Sequence, residues 1–404
     1  MPNIKFTTHF EALPNFRQAE KAFFVFVSDS IRFKTLRTKM NYSTKYIRNN
    51  SAFFYLITTG GILCIIIMIY YTRVSRDFYS WYKYQISMKF ANETLIDFSK
   101  QYDNDNRAAG EYFEPGFSEP CQKTCQNFGN DLKIIALVTS APENHVARMG
   151  IRQTWGHFTN RKDVSIAFLL GTTNKINVNE QMVQESAVYS DIIFANFHEN
   201  YDNLTLKTMA MLQWVTEYCS KAKYLLKVDD DMFINMPRLL DFVNEHIEDT
   251  NTIFGELGHD WSPVRDRTSK YFVSETRHPS KVFPDFVTGP SYLLPASLAP
   301  SLFEASLKQP FLKLEDVFLT GLVAKSLNIE RVHVPEFTND VLKKKQDVCL
   351  IRRIISLHKV KFHEQFDYWM KLMNEQYVII SSTNLNLTLH YIDIFIIEIF
   401  QYVK

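Results

Sequence analysis

The amino-acid sequence predicts an α/β fold in which a mostly parallel sheet is flanked by helices. Short apolar runs bounded by turn-forming residues are typical of buried strands, and the segments between them carry apolar residues at helical spacing. This alternation favours a parallel sheet that is covered on both faces. The predicted strands are Lys133–Thr139, Val164–Leu170, Asp191–Ala195, Tyr224–Val228, Thr252–Leu257 and Phe286–Leu294. The predicted helices are Val178–Val188, Leu204–Cys219, Ala296–Leu307 and Glu315–Leu327.

An uncharged segment near the N-terminus predicts a transmembrane helix ahead of this domain. Residues 52–71 form an apolar run of about 20 residues, the length that a helix needs to cross a bilayer. Lysines and arginines are concentrated between Arg32 and Arg48 and are fewer after the run, so the positive-inside rule predicts a cytosolic N-terminus. The length of the run disfavours a buried core helix, and its distance from Met1 disfavours a cleaved signal peptide.

The chain has 404 residues, enough for one large domain or two ordinary ones with appendages. We predict a cytosolic tail (1–51), a signal anchor (52–71), a luminal stem (72–128) and a luminal globular domain (129–404). The apolar segment 385–403 is interpreted as a buried strand or an interfacial element, because Asp393 and Glu398 interrupt it. Luminal N-x-S/T sequons predict N-glycosylation at Asn92, Asn203 and Asn386.

The charge balance and the cysteines limit the partners and the compartment. With 45 Lys+Arg against 44 Asp+Glu, a basic surface for nucleic acid is not indicated. Four cysteines follow the apolar run and would allow three disulfide pairings in an oxidising compartment, among which the sequence does not choose. They are Cys121, Cys125, Cys219 and Cys349. A zinc site at Cys121 and Cys125 is the weaker interpretation, because no second close pair completes it.

Three consecutive carboxylates, Asp229, Asp230 and Asp231, follow the predicted strand Tyr224–Val228. Ligands of open parallel sheets bind beyond the carboxyl ends of the strands. Clustered carboxylates repel one another, and their oxygen atoms suit hard cations such as Mn²⁺ or Mg²⁺. A solvated acidic turn is the alternative, but the strand context and the flanking apolar residues favour a cation site that binds a diphosphate.

Two other groups of charged residues are candidates for function. Asp316 follows Glu315 at the start of a predicted helix and could be a general base, although acids also stabilise a helix N-terminus electrostatically. Arg148 and Arg152 follow the first strand, where guanidinium groups would suit a diphosphate. On pattern alone, ordinary surface arginines are the more common explanation.

Several stretches of the chain, in order over roughly residues 130–365, resemble the β-1,3-galactosyltransferase family (glycosyltransferase family 31). The matching stretches are RMGIRQTWG (148–156), FLLG (168–171), YSDII (189–193), YDNLTLKT (201–208), YLLKVDDDMFIN (224–235), EDVFLTG (315–321), CLIRR (349–353) and His358. The predicted membrane topology also agrees with that of this family. Val287, Pro290 and Ser291 depart from its usual motif, which leaves sugar specificity open.

The resemblance implies a GT-A fold, which is a Rossmann-like sheet with an acceptor-binding part, on a single-pass type II protein of the Golgi membrane. It implies inverting transfer of a hexose, galactose or N-acetylglucosamine, from a UDP-sugar to a glycan hydroxyl on glycoprotein or glycolipid, forming a β-1,3 linkage. A homodimer is compatible with the sequence, which leaves the oligomeric state open. The alternatives are an inactive relative that acts as a chaperone or glycan-binding protein, and a hydrolase that uses two carboxylates.

The resemblance also implies roles for individual residues. Asp316 would be the catalytic base, and Asp231 with His358 would bind Mn²⁺ or Mg²⁺. Asp229 and Asp230 would lie near the ribose and the metal. Further donor contacts are expected from Arg148, Arg152 and Lys227.

Overall fold

The computed structural model describes residues 106–339 and 348–383, together with parts of the segment 61–73. The described residues of 61–73 are helical and lie in a separate compact unit, Met1–Ser80. Within the described part of the chain, no helix has both the length and the apolar character needed to cross a bilayer. The predicted anchor 52–71 lies largely outside the described residues, as do Asn92, Asn386 and the segment 385–403.

The globular unit is built on a mixed sheet whose central strands are parallel. Its strands are β1 (Phe117–Glu119), β2 (Ile134–Thr139), β3 (Val164–Thr172), β4 (Ile192–His198), β5 (Tyr224–Asp229), β7 (Thr252–Gly258), β8 (Phe286–Pro295) and β9 (Glu330–His333). They lie in the order β1-β4-β3-β2-β5-β8-β7-β9. A small second sheet has the order β10-β11-β6, from Phe337–Thr338, Ser356–Leu357 and Phe233–Ile234. The predicted α/β class is therefore confirmed.

Helices cover both faces of the large sheet. They are α1 (His145–Arg152), α2 (Ile176–Tyr189), α3 (Leu204–Tyr218), α4 (Met236–Glu245), α5 (Ala299–Lys308), α6 (Ala324–Ser326), α7 (Val348–Arg353) and α8 (Phe362–Thr383). Alternate side chains of β2 point to opposite faces, as the strand period requires. Ile135 and Leu137 join the core beneath α3 and α5. Ala136 and Val138 join the core that contains Trp155 and Trp369.

The prediction of a mostly parallel sheet is confirmed, because six of its eight strands run in the same direction and only β1 and β8 oppose them. Strand β2 is parallel to both β3 and β5, whereas β8 runs antiparallel to β5 and to β7. An apolar run predicts burial of a strand but not its direction, because both arrangements can be covered by helices. The helix predicted over Glu315–Leu327 begins at Glu315 as expected, and its Val317–Val323 part is π-helical.

The stem boundary needs a correction, because residues 106–128 pack on the globular unit. Strand β1 pairs with β4, and the Ala109 backbone N–H donates to the Gln309 carbonyl at 2.8 Å. The indole of Trp214 donates to the Pro120 carbonyl at 2.6 Å. A disulfide joins Cys125 to Cys219, while Cys121 is buried with a free thiol. Cys349 has no described side chain.

Candidate active site

The first two aspartates of the triplet are hydrogen-bonded to the end of the neighbouring strand. Because β2 and β5 are parallel, Thr139 lies beside Asp229 in the register. The Thr139 hydroxyl donates to Asp229 Oδ1 at 2.6 Å. Asp230 Oδ2 accepts from Ser140 Oγ at 2.6 Å and from Asn144 Nδ2 at 3.0 Å. Burial raises the pKa of Asp230, so these donors help to keep an otherwise unfavourable charge at this sheet edge.

The third aspartate faces a histidine from a distant part of the chain. Asp231 Oδ2 lies 3.5 Å from His358 Nε2. His358 Nδ1 is hydrogen-bonded to the Asn339 carbonyl at 2.6 Å. Since a carbonyl only accepts, Nδ1 carries a proton, and in the neutral ring the Nε2 lone pair points toward Asp231. Burial raises the pKa of Asp231, and the positive charge that His358 can carry opposes that rise.

This pair fits a divalent cation only in part. A carboxylate oxygen and an imidazole nitrogen held by a backbone carbonyl are suitable ligands for Mn²⁺. Among the residues that the structure describes, no three His, Cys, Asp or Glu side chains are arranged to hold a metal ion. Mg²⁺-type sites in proteins commonly use one or two carboxylates and complete the coordination with substrate phosphates. Asp231 and His358 are therefore suited to a metal that is shared with a phosphate-bearing ligand.

A buried lysine connects the triplet to the second acidic pair. Lys227 Nζ donates to Asp229 Oδ1 and to the Gly289 carbonyl, both at 2.6 Å. It also lies 3.2 Å from Glu315 Oε1. These contacts occupy an ammonium group on a residue that is only 3% exposed. The structure therefore gives no support to a direct donor contact by Lys227 and shows instead that it joins Asp229 to Glu315.

Burial favours the neutral form of Glu315, although hydrogen-bond donors and Lys227 surround its carboxylate. It is buried, and its Oε2 accepts from Thr208 Oγ1 at 3.1 Å and from the Tyr292 hydroxyl at 3.4 Å. Burial raises the pKa of Glu315 to about 7, although Lys227 opposes the rise. Lys227 thus pairs mainly with Asp229, while Glu315 is partly protonated near neutral pH.

Asp316 is held at the start of the π-helical segment. Its Oδ1 accepts from the Val317 backbone N–H at 2.9 Å, and its Oδ2 accepts from the Gly289 N–H at 3.1 Å. A Cβ at Gly289 would lie 2.9 Å from Glu315 Oε1 and 3.4 Å from Asp316 Oδ2. A side chain at position 289 would therefore displace the Glu315 carboxylate from this close approach. Burial raises the pKa of the half-buried Asp316 carboxyl, which makes its carboxylate a stronger base than a solvated one.

The structure does not support donor contacts for Arg148 or Arg152. Arg148 is fully buried, donates to Ser140 Oγ at 2.9 Å and pairs with Glu185 at 2.6 Å. Arg152 pairs with Glu185 and Asp191, both at 2.7 Å. Their guanidinium groups are occupied by these carboxylates. Arg148 acts on the site indirectly, because it orients Ser140, which donates to Asp230.

Several residues around the site were not predicted as functional. Thr139, Ser140 and Asn144 bind the aspartates, and the position of Thr139 and Ser140 after a neighbouring parallel strand is a signal that could have found them. Lys207 is buried, donates to the Ser140 carbonyl at 2.8 Å and pairs with Glu199. No sequence pattern predicts that contact.

The sequon at Asn203 is not available in the folded protein. Asn203 is 3% exposed, and its side-chain nitrogen donates to the His198 carbonyl at 2.8 Å. N-glycosylation requires an accessible asparagine amide. The prediction of N-glycosylation at this residue is therefore corrected.

Comparisons with known proteins identify the class of protein as a sugar-transferring enzyme. Residues 146–335 match a family model described as galactosyltransferase. The human β-1,3-galactosyltransferase 5 is 38% identical over 248 residues, covering 60% of this chain and 79% of the relative. The mouse β-1,3-galactosyltransferase 1 is 32% identical over 248 residues, covering 61% and 75%. The chain therefore belongs to the β-1,3-galactosyltransferase family (glycosyltransferase family 31) and is a hexosyltransferase.

A solved structure of a galactosyltransferase with donor and acceptor sugar analogues is also similar. It is 12% identical, has a TM-score of 0.31, and the match covers 60% of this chain and 95% of that chain. The central parallel strands, their covering helices and the family membership agree with the GT-A-like fold that the motifs implied.

Proposed function

We propose that the protein transfers galactose or N-acetylglucosamine from a UDP-sugar to a glycan hydroxyl, with inversion and formation of a β-1,3 linkage. The observation that carries the proposal is the buried connection through Lys227, which ties the Asp229–Asp231 end of β5 to Glu315 and Asp316. The aspartates at the end of β5 suit a diphosphate with its cation, and the Asp316 carboxylate suits a base. The family membership supports hexosyl transfer.

In the proposed reaction, the Asp316 carboxylate removes the proton of the acceptor hydroxyl. The acceptor oxygen forms a bond to the anomeric carbon while the bond from that carbon to the UDP β-phosphate oxygen breaks, which inverts the configuration. The Gly289 and Val317 N–H groups orient the Asp316 carboxylate. Asp231 and His358 would hold Mn²⁺ or Mg²⁺, which when bound offsets the charge of the diphosphate. Asp229 and Asp230 would lie near the ribose, as the family motif implies.

The central test compares Asp316→Asn with the wild-type protein, using the full chain in detergent. Asparagine keeps the size of the side chain but is not a base, so sugar transfer should fall by at least about 100-fold while Mn²⁺-dependent UDP binding persists. Transfer would be followed by mass spectrometry with a panel of UDP-sugars and glycan acceptors, with linkage analysis of the product. Asp241→Asn on α4 is the matched control, because Asp241 is an exposed aspartate. Transfer at the wild-type rate by Asp316→Asn would refute the assignment of the base.

The same proposal places the globular unit in the Golgi lumen on a type II protein anchored by residues 52–71. The Cys125–Cys219 disulfide supports an oxidising compartment. Protease protection of sealed Golgi vesicles should shield the globular unit and leave the N-terminal tail accessible. Cleavage of the globular unit without detergent would contradict this topology.

A further inference from the structure

The loop 259–285, between β7 and β8, is held in shape by internal hydrogen bonds. The Arg265 guanidinium donates to the Val273 carbonyl at 2.7 Å and to the His278 carbonyl at 2.6 Å. The Val273 N–H in turn donates to the Val264 carbonyl at 3.0 Å. One guanidinium thereby fixes two separated parts of the loop, so that the side chains between them are presented in a defined arrangement.

This loop brings two exposed tyrosines and a lysine together. The rings of Tyr201 and Tyr271 pack edge to face, with centroids 6.5 Å apart, and Lys270 Nζ lies 4.8 Å from each centroid. Tyr271 is 47% exposed and Tyr201 is 39% exposed. We call these three residues the aromatic lip. Its rings offer apolar faces to solvent, and its hydroxyl and ammonium groups can form hydrogen bonds.

The aromatic lip adjoins the segment that carries Glu315 and Asp316. Tyr201 immediately precedes Asp202, which pairs with Lys313 at 3.3 Å. Farther along the same segment, Thr205 Oγ1 donates to the Leu312 carbonyl at 2.6 Å, and Thr208 Oγ1 donates to Glu315. Residues 201–208 therefore run along residues 312–315. The pKa of Tyr201 agrees with this placement, since it is raised by burial and then by Tyr271, Asp316 and Asp229.

An acceptor must lie against the proposed base, because its hydroxyl proton passes to Asp316. On the basis of that proposed function, we infer that the aromatic lip binds a neutral sugar ring of the acceptor glycan and determines acceptor affinity. A pyranose presents C–H groups that pack on a tyrosine ring and hydroxyls that bond to phenol and ammonium groups. The carboxylate of Asp316 would disfavour an acidic sugar. The donor is expected on the other side of Lys227, where Ser140 and Asn144 bind Asp230.

The test uses Tyr271→Ala and Tyr271→Phe in the full chain. Removing the ring should raise the KM for a methyl β-galactoside or methyl β-N-acetylglucosaminide acceptor about tenfold, whereas phenylalanine should retain most of the affinity. The donor KM and the acceptor-independent hydrolysis of the UDP-sugar should be unchanged. Phe128→Ala is the matched control, because Phe128 is 53% exposed and lies under Lys221 at 5.9 Å, near the start of β5 and away from Asp229.

An unchanged acceptor KM in Tyr271→Ala would overturn the inference. A raised donor KM with an unchanged acceptor KM would also overturn it, because the rings would then contact the donor. If wild-type protein transfers no sugar, the proposed function fails, and the lip is tested by saturation-transfer NMR of the same two glycosides with the UDP- and Mn²⁺-loaded protein. Weaker binding by Tyr271→Ala than by Phe128→Ala supports the inference, and equal binding refutes it.

Discussion

The Glu315 carboxyl is buried beside Lys227. Its replacement by glutamine tests whether burial or Lys227 has the larger effect on the pKa of Glu315. Burial raises the pKa of Glu315 from 4.5 to about 7 in the folded protein. The folded state therefore binds this proton more tightly than the unfolded state does. The contribution of the group to stability is fully present below the unfolded pKa and is lost as the pH rises through about 7. Glu315→Gln keeps the shape of the side chain but removes its titration.

The expected size of the effect follows from the pKa. A rise from 4.5 to about 7 corresponds to about 3 kcal/mol of unfolding free energy. As the pH rises from about 4 to about 8, the unfolding free energy of the wild-type protein should fall by this amount relative to that of Glu315→Gln. The glutamine variant should therefore gain in relative stability as the pH rises, even though it also loses the Glu315 carboxylate as a partner for Lys227.

Guanidinium chloride unfolding at several pH values would measure the difference in unfolding free energy between wild type and Glu315→Gln. The fluorescence of the fully buried Trp155 and Trp214 would serve as the signal. Glu304→Gln is the matched control, because Glu304 is an exposed glutamate on α5, and its difference from wild type should stay flat with pH. A Glu315→Gln difference that is equally constant, within about 1 kcal/mol, would refute the reasoning. It would mean that Lys227 offsets burial and leaves the pKa of Glu315 the same in the folded and unfolded states.

Four further substitutions test other contacts of the site and the fold. Asp231→Ala should abolish Mn²⁺-dependent UDP binding measured by calorimetry, and His358→Gln should weaken this binding about 10- to 100-fold. Full binding by Asp231→Ala would argue against the metal assignment. Gly289→Ala should lower the unfolding free energy by about 1–3 kcal/mol in denaturant unfolding, because its Cβ would lie 2.9 Å from the Glu315 Oε1 atom. Wild-type stability in this variant would show that Glu315 is not packed tightly against Gly289. Cys219→Ser should lower stability by about 4 kcal/mol, since it opens a bridge to Cys125 over 94 residues. An unchanged thermal midpoint would contradict that last expectation.

Local patterns in the sequence were sufficient for the central strands and for the position of the aspartate triplet. Strand β2 is a continuous apolar run and β5 is apolar apart from Lys227 and Asp229, and such runs predict burial wherever they occur. Because Asp229 ends β5 and Asp230 and Asp231 follow it, the triplet had to lie at the sheet edge where ligands of α/β proteins bind. The ordered motifs indicated the same family that the comparisons identify.

Only the tertiary structure decided which charged groups are available to a ligand and which form ion pairs that stabilise the site. A guanidinium suits a phosphate and a carboxylate equally well, and packing assigns Arg148 to the carboxylate of Glu185. An ammonium could likewise face solvent, but Lys227 is buried between Asp229 and Glu315. The meeting of Tyr201 with Tyr271 depends on the loop that joins β7 to β8, and these strands lie far from β4 in the strand order. Contacts between distant segments carry no local periodicity, so they follow from the packing of the whole chain.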